Sequence, residues 1–130
     1  THCRFLHGYA ISFRVWFDGE LDHRNWVWDF GGMKRSKTQI NGMSPKDYFT
    51  WLLDHTTVIA MDDPHLESFK QLSSEGLIQL RIIPATGCEK FAEHLYTKIN
   101  TFLKEETEGR VKAIKVEVYE HEKNSASYGQ

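Results

Sequence analysis

The 130-residue sequence is short of several things, and each shortage narrows the kind of protein it encodes. No apolar run approaches the roughly 18 residues that a membrane-spanning helix requires, and no stretch reads as a cleavable leader. Only 2 cysteines are present, Cys3 and Cys88, too few and too far apart for a disulfide framework. A reducing compartment, the cytoplasm, is the expected location. There is no internal repeat, no low-complexity tract and no linker. There is also no basic block. With 16 basic against 18 acidic side chains the net charge is −2, which excludes the electrostatic footprint of a nucleic-acid binder. What is present is apolar and aromatic: hydrophobic residues make up 40%, and 4 Trp, 5 Tyr and 8 Phe provide enough apolar surface to fold one globular domain.

Periodicity supplies the elements. From His7 to Asp18 the sequence alternates, with His7, Tyr9, Ile11, Phe13, Val15 and Phe17 on one face of a strand. A turn through Gly19 to Arg24 leads to an extended piece at Trp26 to Phe30, broken by Gly31-Gly32. Ser44-Pro45 reads as an N-cap followed by proline at the first helical position, and Tyr48, Phe49, Leu52 and Leu53 form the apolar face of that helix. Asp63-Pro64 starts a second helix that buries Leu66, Phe69 and Leu72 and stops at Gly76. Ile78, Leu80 and Ile82 form a strand, and Cys88 to Lys104 a long amphipathic helix. Val111 to Glu120 alternates again, with Ile114, Val116 and Val118 on one face, and Ser125 to Gln130 reads as a frayed end. Antiparallel strands with helices packed on one face make this an α+β domain. Trp16, Trp26, Trp28 and Trp51 are expected in the core or at an interface.

Three places carry residues suited to chemistry. His7 and Tyr9, two apart on a strand, put side chains on one face about 6.6 Å apart along the backbone, with His2 and Cys3 just upstream. Two such side chains can converge on one metal, or His7 can be an ordinary polar strand residue. Asp54-His55 follows the first helix. A carboxylate beside an imidazole fixes its tautomer and raises its basicity, as a general acid/base requires. A simpler reading is a histidine against the helix dipole. Glu120 ends the apolar face of the last strand in a carboxylate, and a buried carboxylate needs a partner. It suits a guanidine-like ring edge that donates two N–H bonds, unless the strand stops at Tyr119 and Glu120 is solvated. Glu89, after Cys88, sits in the first turn of the long helix, where an acid is favoured in any case.

In order along the sequence, these pieces resemble the 6-pyruvoyltetrahydropterin synthase / 6-carboxytetrahydropterin synthase family. Cys3 with Leu6-His7-Gly8-Tyr9 is similar to the family's Cys and His-Gly-His segment. Val27-Trp28-Asp29-Phe30-Gly31 with Met33-Lys34 resembles its Val-x-Asp-Phe-x-x-(Leu/Met)-Lys stretch, and Leu53-Asp54-His55 its Asp-His motif. Gly87-Cys88-Glu89-Lys90-Phe91-Ala92 stands where members carry Thr-x-Glu-Asn-(Leu/Val)-Ala, and the closing strand ends in Glu120 ahead of Ser125-Ala126-Ser127-Tyr128.

The resemblance implies a tunnelling (T) fold over residues 1–130, one domain lacking the family's N-terminal strand, in a hexamer-like homo-oligomer built as a barrel. It implies a lyase in which Cys3 abstracts a proton, Asp54 and His55 act as relay partners, and Glu120, assisted by Glu89 and Cys88, holds a pterin. It implies zinc, held by His7 with His2 and Tyr9 as further positions; Tyr9 stands where the family has a second histidine. The substrate would be 7,8-dihydroneopterin triphosphate, losing triphosphate. The short Cys-x-x-x-His spacing points to the 6-carboxy branch of 7-deazaguanine (queuosine) synthesis. The 6-pyruvoyl reaction, or pterin or purine binding without turnover, stays open. The implied partners are a small molecule, with neither nucleic acid nor membrane. Lys34, Arg35 and Lys90 are the charge-based candidates for holding the triphosphate.

Overall fold

The computed structural model describes residues 5–8, 10–121 and 124–130. In sequence order the elements are β1 (Ser12–Gly19), a 3-10 turn (Phe30–Met33), α1 (Pro45–Leu53), β2 (Thr57–Ala60), α2 (Leu66–Ser74), β3 (Leu80–Ile83), α3 (Cys88–Glu106), β4 (Val111–His121) and β5 (Asn124–Gly129). The strands form an antiparallel sheet in the order β1-β4-β5 and a separate parallel pair, β2 with β3. α3 lies across the antiparallel sheet. Its Ala92, Leu95, Ile99, Phe102 and Leu103 recur at helical spacing and are buried against Val111, Ala113, Val116 and Val118 of β4. Phe13, Val15 and Phe17 complete this core from β1.

β4 is the central strand, and it departs from the expected alternation. Val111 and Ala113 face the core in its first half, Val116 and Val118 in its second. The change of parity is a β-bulge: Trp16 pairs with Lys115 and Phe17 with Ala113, so Ile114 has no partner on β1. Ile114 is therefore only partly buried, where simple alternation placed it on the apolar face with Val116. At the bulge the carboxamide of Asn100, on α3, does the pairing. Its Nδ2 donates to the Ala113 carbonyl at 3.0 Å, and its Oδ1 accepts from the Ala113 amide at 2.8 Å. On the other side the Ile114 carbonyl accepts the amide of Gln130 at 2.8 Å.

That contact also corrects the reading of the C-terminal residues. They form β5, paired with β4 from Lys115–Gly129 to His121–Asn124, and are not frayed. Gly129 passes so close to the Ile114 carbonyl that any Cβ would collide with it. The expected extended piece at Trp26 to Phe30 is replaced by the 3-10 turn. Asp29 caps this turn by accepting the Gly31 amide at 2.9 Å, and Gly32 lies under the Trp28 ring, where a Cβ would come within 2.5 Å. Trp28 is the one core tryptophan. Trp16, Trp26 and Trp51 are exposed, each under a cation: Lys115, Arg24 and Arg81 lie 4.7, 4.2 and 4.1 Å from the respective ring centroids.

The helices follow their start signals with local shifts. Ser44 caps α1 by accepting the Asp47 amide at 3.2 Å. α2 begins at Leu66, because Asp63 accepts the His65 amide at 2.7 Å and holds the preceding residues in a turn. α2 has no fully buried residue; Leu66, Phe69 and Leu72 are half-buried. β1 starts at Ser12, not His7, where its ladder with β4 ends in the Ser12–Tyr119 pair. β2 was not expected; its four residues pair in parallel with β3, and α2 makes the crossover. No helix among the described residues is long and apolar enough to cross a membrane.

Two predictions follow from this packing. Asn100→Leu leaves both backbone groups of the buried Ala113 unpaired and should cost on the order of 2–4 kcal/mol in denaturant unfolding. A loss below about 0.5 kcal/mol would show that the bulge holds itself. The second concerns His94, whose Nε2 lies 2.9 Å from the buried Tyr48 hydroxyl. Burial, and then the Lys98 charge, hold its pKa below the ordinary 6.5, so the unfolded state takes up this proton first as pH falls. The stability it contributes is complete above about pH 6.5 and is lost as pH falls through the lower folded value. Thermal melts from about pH 8 to about pH 5 should show a shallower acid loss in His94→Gln than in the native protein. Parallel slopes would assign the acid loss to other groups.

Candidate functional site

α1 ends in a set of caps that build the Asp54–His55 corner. The Asp54 amide donates to the Thr50 carbonyl at 2.8 Å, Arg81 Nε to the Trp51 carbonyl at 2.9 Å, and Thr56 Oγ1 to the Leu52 carbonyl at 2.7 Å. Three of the carbonyls left over at the helix end are thereby satisfied. His55 then takes a left-handed backbone with φ of 54°, and its carbonyl accepts Gln79 Nε2 at 3.2 Å. In this geometry His55 Nδ1 lies 3.1 Å from Asp54 Oδ1, with both side chains largely in solvent. A carboxylate at Nδ1 favours the tautomer whose Nε2 carries the basic lone pair. As an exposed ion pair the two side chains add little stability.

Asp54 also lines a groove of about 520 Å³. Its apolar wall is Ile11, Phe13, Met33, Phe49 and Leu53, with the Phe13 and Phe49 rings edge to face at 4.9 Å. Its polar rim is Lys34, Lys46, Thr50 and Asp54. The 3-10 turn delivers Lys34: Trp28 and Met33 pack into or against the core, Asp29 caps the turn, and Lys34 closes it through its amide to the Gly31 carbonyl. This is the physical content of the Asp-Phe-x-x-Met-Lys stretch.

A second cluster forms where α3 meets the end of β4. Cys88, the first residue of α3, is buried, and its thiol donates to the Val118 carbonyl at 3.0 Å. Burial pushes that thiol up, and the nearby Glu120 and Glu89 carboxylates push it further. The neutral thiol fastens α3 to β4, and the same packing brings Glu89 and Glu120 close to it. Glu120 lies two residues beyond Val118 near the end of β4 and is half-buried, at a second irregularity of the strand where Tyr119 pairs with Ser125 and His121 with Asn124.

The structure thus brings Glu120, Glu89 and Cys88 together, and Asp54 together with His55 and Lys34. Lys46, Phe13, Phe49 and Met33 were given no site role from the sequence, where Phe13 and Phe49 read as apolar-face residues and Met33 as part of the Asp-Phe-x-x-Met-Lys stretch. Lys90 is held by Glu93 at 3.0 Å along α3, and Arg35 lines a different groove of about 780 Å³. That groove is larger but electrically balanced. Arg24 pairs with Asp22 at 3.2 Å, and the Arg110 guanidinium is occupied by the Glu20 and Val27 carbonyls.

His7 is exposed, while His2, Cys3 and Tyr9 lie outside the described residues. Among the described residues no three His, Cys, Asp or Glu side chains converge as a metal site. A catalytic zinc takes three protein ligands, and of the positions implied for it only His7 lies among the described residues.

No curated protein matches the sequence. Among solved structures, an uncharacterized protein from Wolinella succinogenes shares the fold, with a TM-score of 0.78 and 19% identity, covering 99% of the present protein and 81% of that one. The family model described as 6-pyruvoyl tetrahydropterin synthase matches residues 1–130, carrying with it the Asp-Phe-x-x-Met-Lys turn, the Asp54–His55 corner and the Glu120 strand end. The protein belongs to the 6-pyruvoyl tetrahydropterin synthase family.

Proposed function

We propose that the protein is a lyase that converts 7,8-dihydroneopterin triphosphate to 6-carboxy-5,6,7,8-tetrahydropterin, releasing triphosphate on the route to 7-deazaguanines. The family is one of lyase-type enzymes acting on pterins, and its mixed fold of antiparallel sheet and helices is the fold found here. The observation that carries the reading is Glu120, half-buried near the end of β4 and close, with Glu89, to the buried Cys88 at the start of α3. A pterin presents a flat ring and an aminopyrimidine edge with two adjacent N–H donors. A carboxylate accepts both, and an apolar wall takes the ring face.

In this reading Cys3 acts as a thiolate base on a C–H bond of the substrate's aliphatic tail, and the Asp54–His55 pair moves the proton on. Loss of that proton and cleavage of the terminal C–O bond release triphosphate with its electron pair. The carboxyl product keeps one of the three tail carbons, which takes its second oxygen from a water molecule, and the other two carbons leave as a two-carbon aldehyde. That fragment separates the carboxyl-forming from the pyruvoyl-forming reaction. A homo-oligomer belongs to the proposal as well: β1 and β5 are the two edges of the antiparallel sheet, open to strands of neighbouring copies.

Incubation of the full-length protein with 7,8-dihydroneopterin triphosphate, followed by mass spectrometry, should show the carboxyl product, triphosphate and the aldehyde. Glu120→Gln should reduce kcat/KM roughly a hundredfold with an unchanged melting temperature, since the amide cannot accept both N–H bonds. Untouched substrate, or pterin binding that is indifferent to Glu120, would sink the reading. A three-carbon ketone retained on the ring would replace it with the pyruvoyl reaction.

A further inference from the structure

We infer that Lys46, together with Lys34, grips the polyphosphate tail of the substrate. The inference rests on the reading of the site as one for a phosphorylated pterin and adds the residue that holds the charged end.

Lys34 and Lys46 rim the same groove, one from the close of the 3-10 turn and one from the first turn of α1. They face a single carboxylate there, Asp54, so the rim carries an excess of positive charge. Elsewhere the helical lysines Lys70 and Lys90 are neutralised locally, by Glu67 at 3.4 Å and by Glu93 at 3.0 Å. Lys34 and Lys46 join no ion pair among the described residues. Lys46 also stands against its own helix. The first turn of a helix favours anions, and Asp47 beside it obeys that rule while Lys46 does not. An unpaired ammonium held against the dipole, above an apolar floor that weakens water's screening, is poised for an anion of several charges. Among the charge-based candidates from sequence, Lys90 is taken by Glu93 and Arg35 lines the balanced groove, so the structure selects Lys34 and adds Lys46.

The lining of the groove agrees. Asp54 stands on it together with both lysines. A substrate whose reacting tail lies at Asp54 therefore places its charged end at the two lysines. The triphosphate leaves with its negative charge intact, so the same ammoniums that bind it also stabilise the departing group.

The test uses inorganic triphosphate as the probe, with titration calorimetry on the full-length protein. The native protein should bind it, with affinity falling steeply as salt rises. Lys46→Glu should weaken binding at least about tenfold, Lys46→Arg should retain it, and Lys37→Glu, on the rim of the other groove, should leave it unchanged. With the phosphorylated substrate, Lys46→Glu should raise KM by a similar factor, while binding of unphosphorylated 7,8-dihydroneopterin stays as in the native protein. Triphosphate binding that is absent, indifferent to Lys46, or lost equally in Lys37→Glu overturns the assignment. Lys46-dependent triphosphate binding by a protein that leaves the pterin substrate intact supports the anion site and refutes the proposed reaction. Turnover with an unchanged KM in Lys46→Glu does the reverse.

Discussion

The two hydrogen bonds between the Asn100 carboxamide and the backbone of Ala113 set the geometry on which the rest of the molecule depends. A strand that faces the core at Val111 and Ala113 would, by strict alternation, present residues 115, 117 and 119 to it as well. The bulge at Ile114 shifts the parity by one, so Val116 and Val118 turn inward. A bulge breaks the ladder, and the backbone groups beside it must be satisfied elsewhere. Asn100 does this for Ala113 from α3, the helix packed on that face. One side chain thus ties the helix to the central strand of the sheet.

From that point the site assembles through short links. Cys88 fastens the start of α3 to the Val118 carbonyl, holding Glu89 close to Glu120. The β1 register sets Phe13 opposite Val118, and Phe13 forms part of the wall of the groove. Phe13 meets Phe49 of α1, and α1 ends in Asp54. Elements far apart in sequence are joined by one core, so the polar residues at its rim inherit its order.

Much of this was legible in the sequence, and the parts that were not have physical reasons. Alternation in β1, the Ser44 cap and the 3.6 period of α3 depend on local patterns, and each appears in the structure. The inward placement of Val116 and Val118 was also legible, because both lie on the same side of the bulge. The bulge itself was not: Ile114 is as apolar as its neighbours, and only a long-range partner reveals that it is skipped. β5 is rich in Ser and Gly, a composition that reads as a loose end until Gly129 is seen passing the Ile114 carbonyl. β2 is too short for periodicity to distinguish. Which tryptophans lie outside the core was not legible, because indole hydrophobicity says nothing of the cation that covers each ring. Lys46 carried no signal at all, since a lysine at a helix start is ordinary until its neighbours are known to leave it unpaired.

The caps at the end of α1 have a further consequence. Trp51, Leu52 and His55 each give a carbonyl to a side chain from Arg81, Thr56 or Gln79, and two of these three donors belong to or adjoin β3. The small parallel pair of strands therefore acts as a bracket that locks an otherwise solvent-facing corner. Groups on such a corner would ordinarily sample many orientations and lose that freedom only on meeting a ligand. Here the loss is absorbed when the protein folds. The backbone that carries Asp54 and His55 is ordered before any ligand arrives, so binding does not have to fix it.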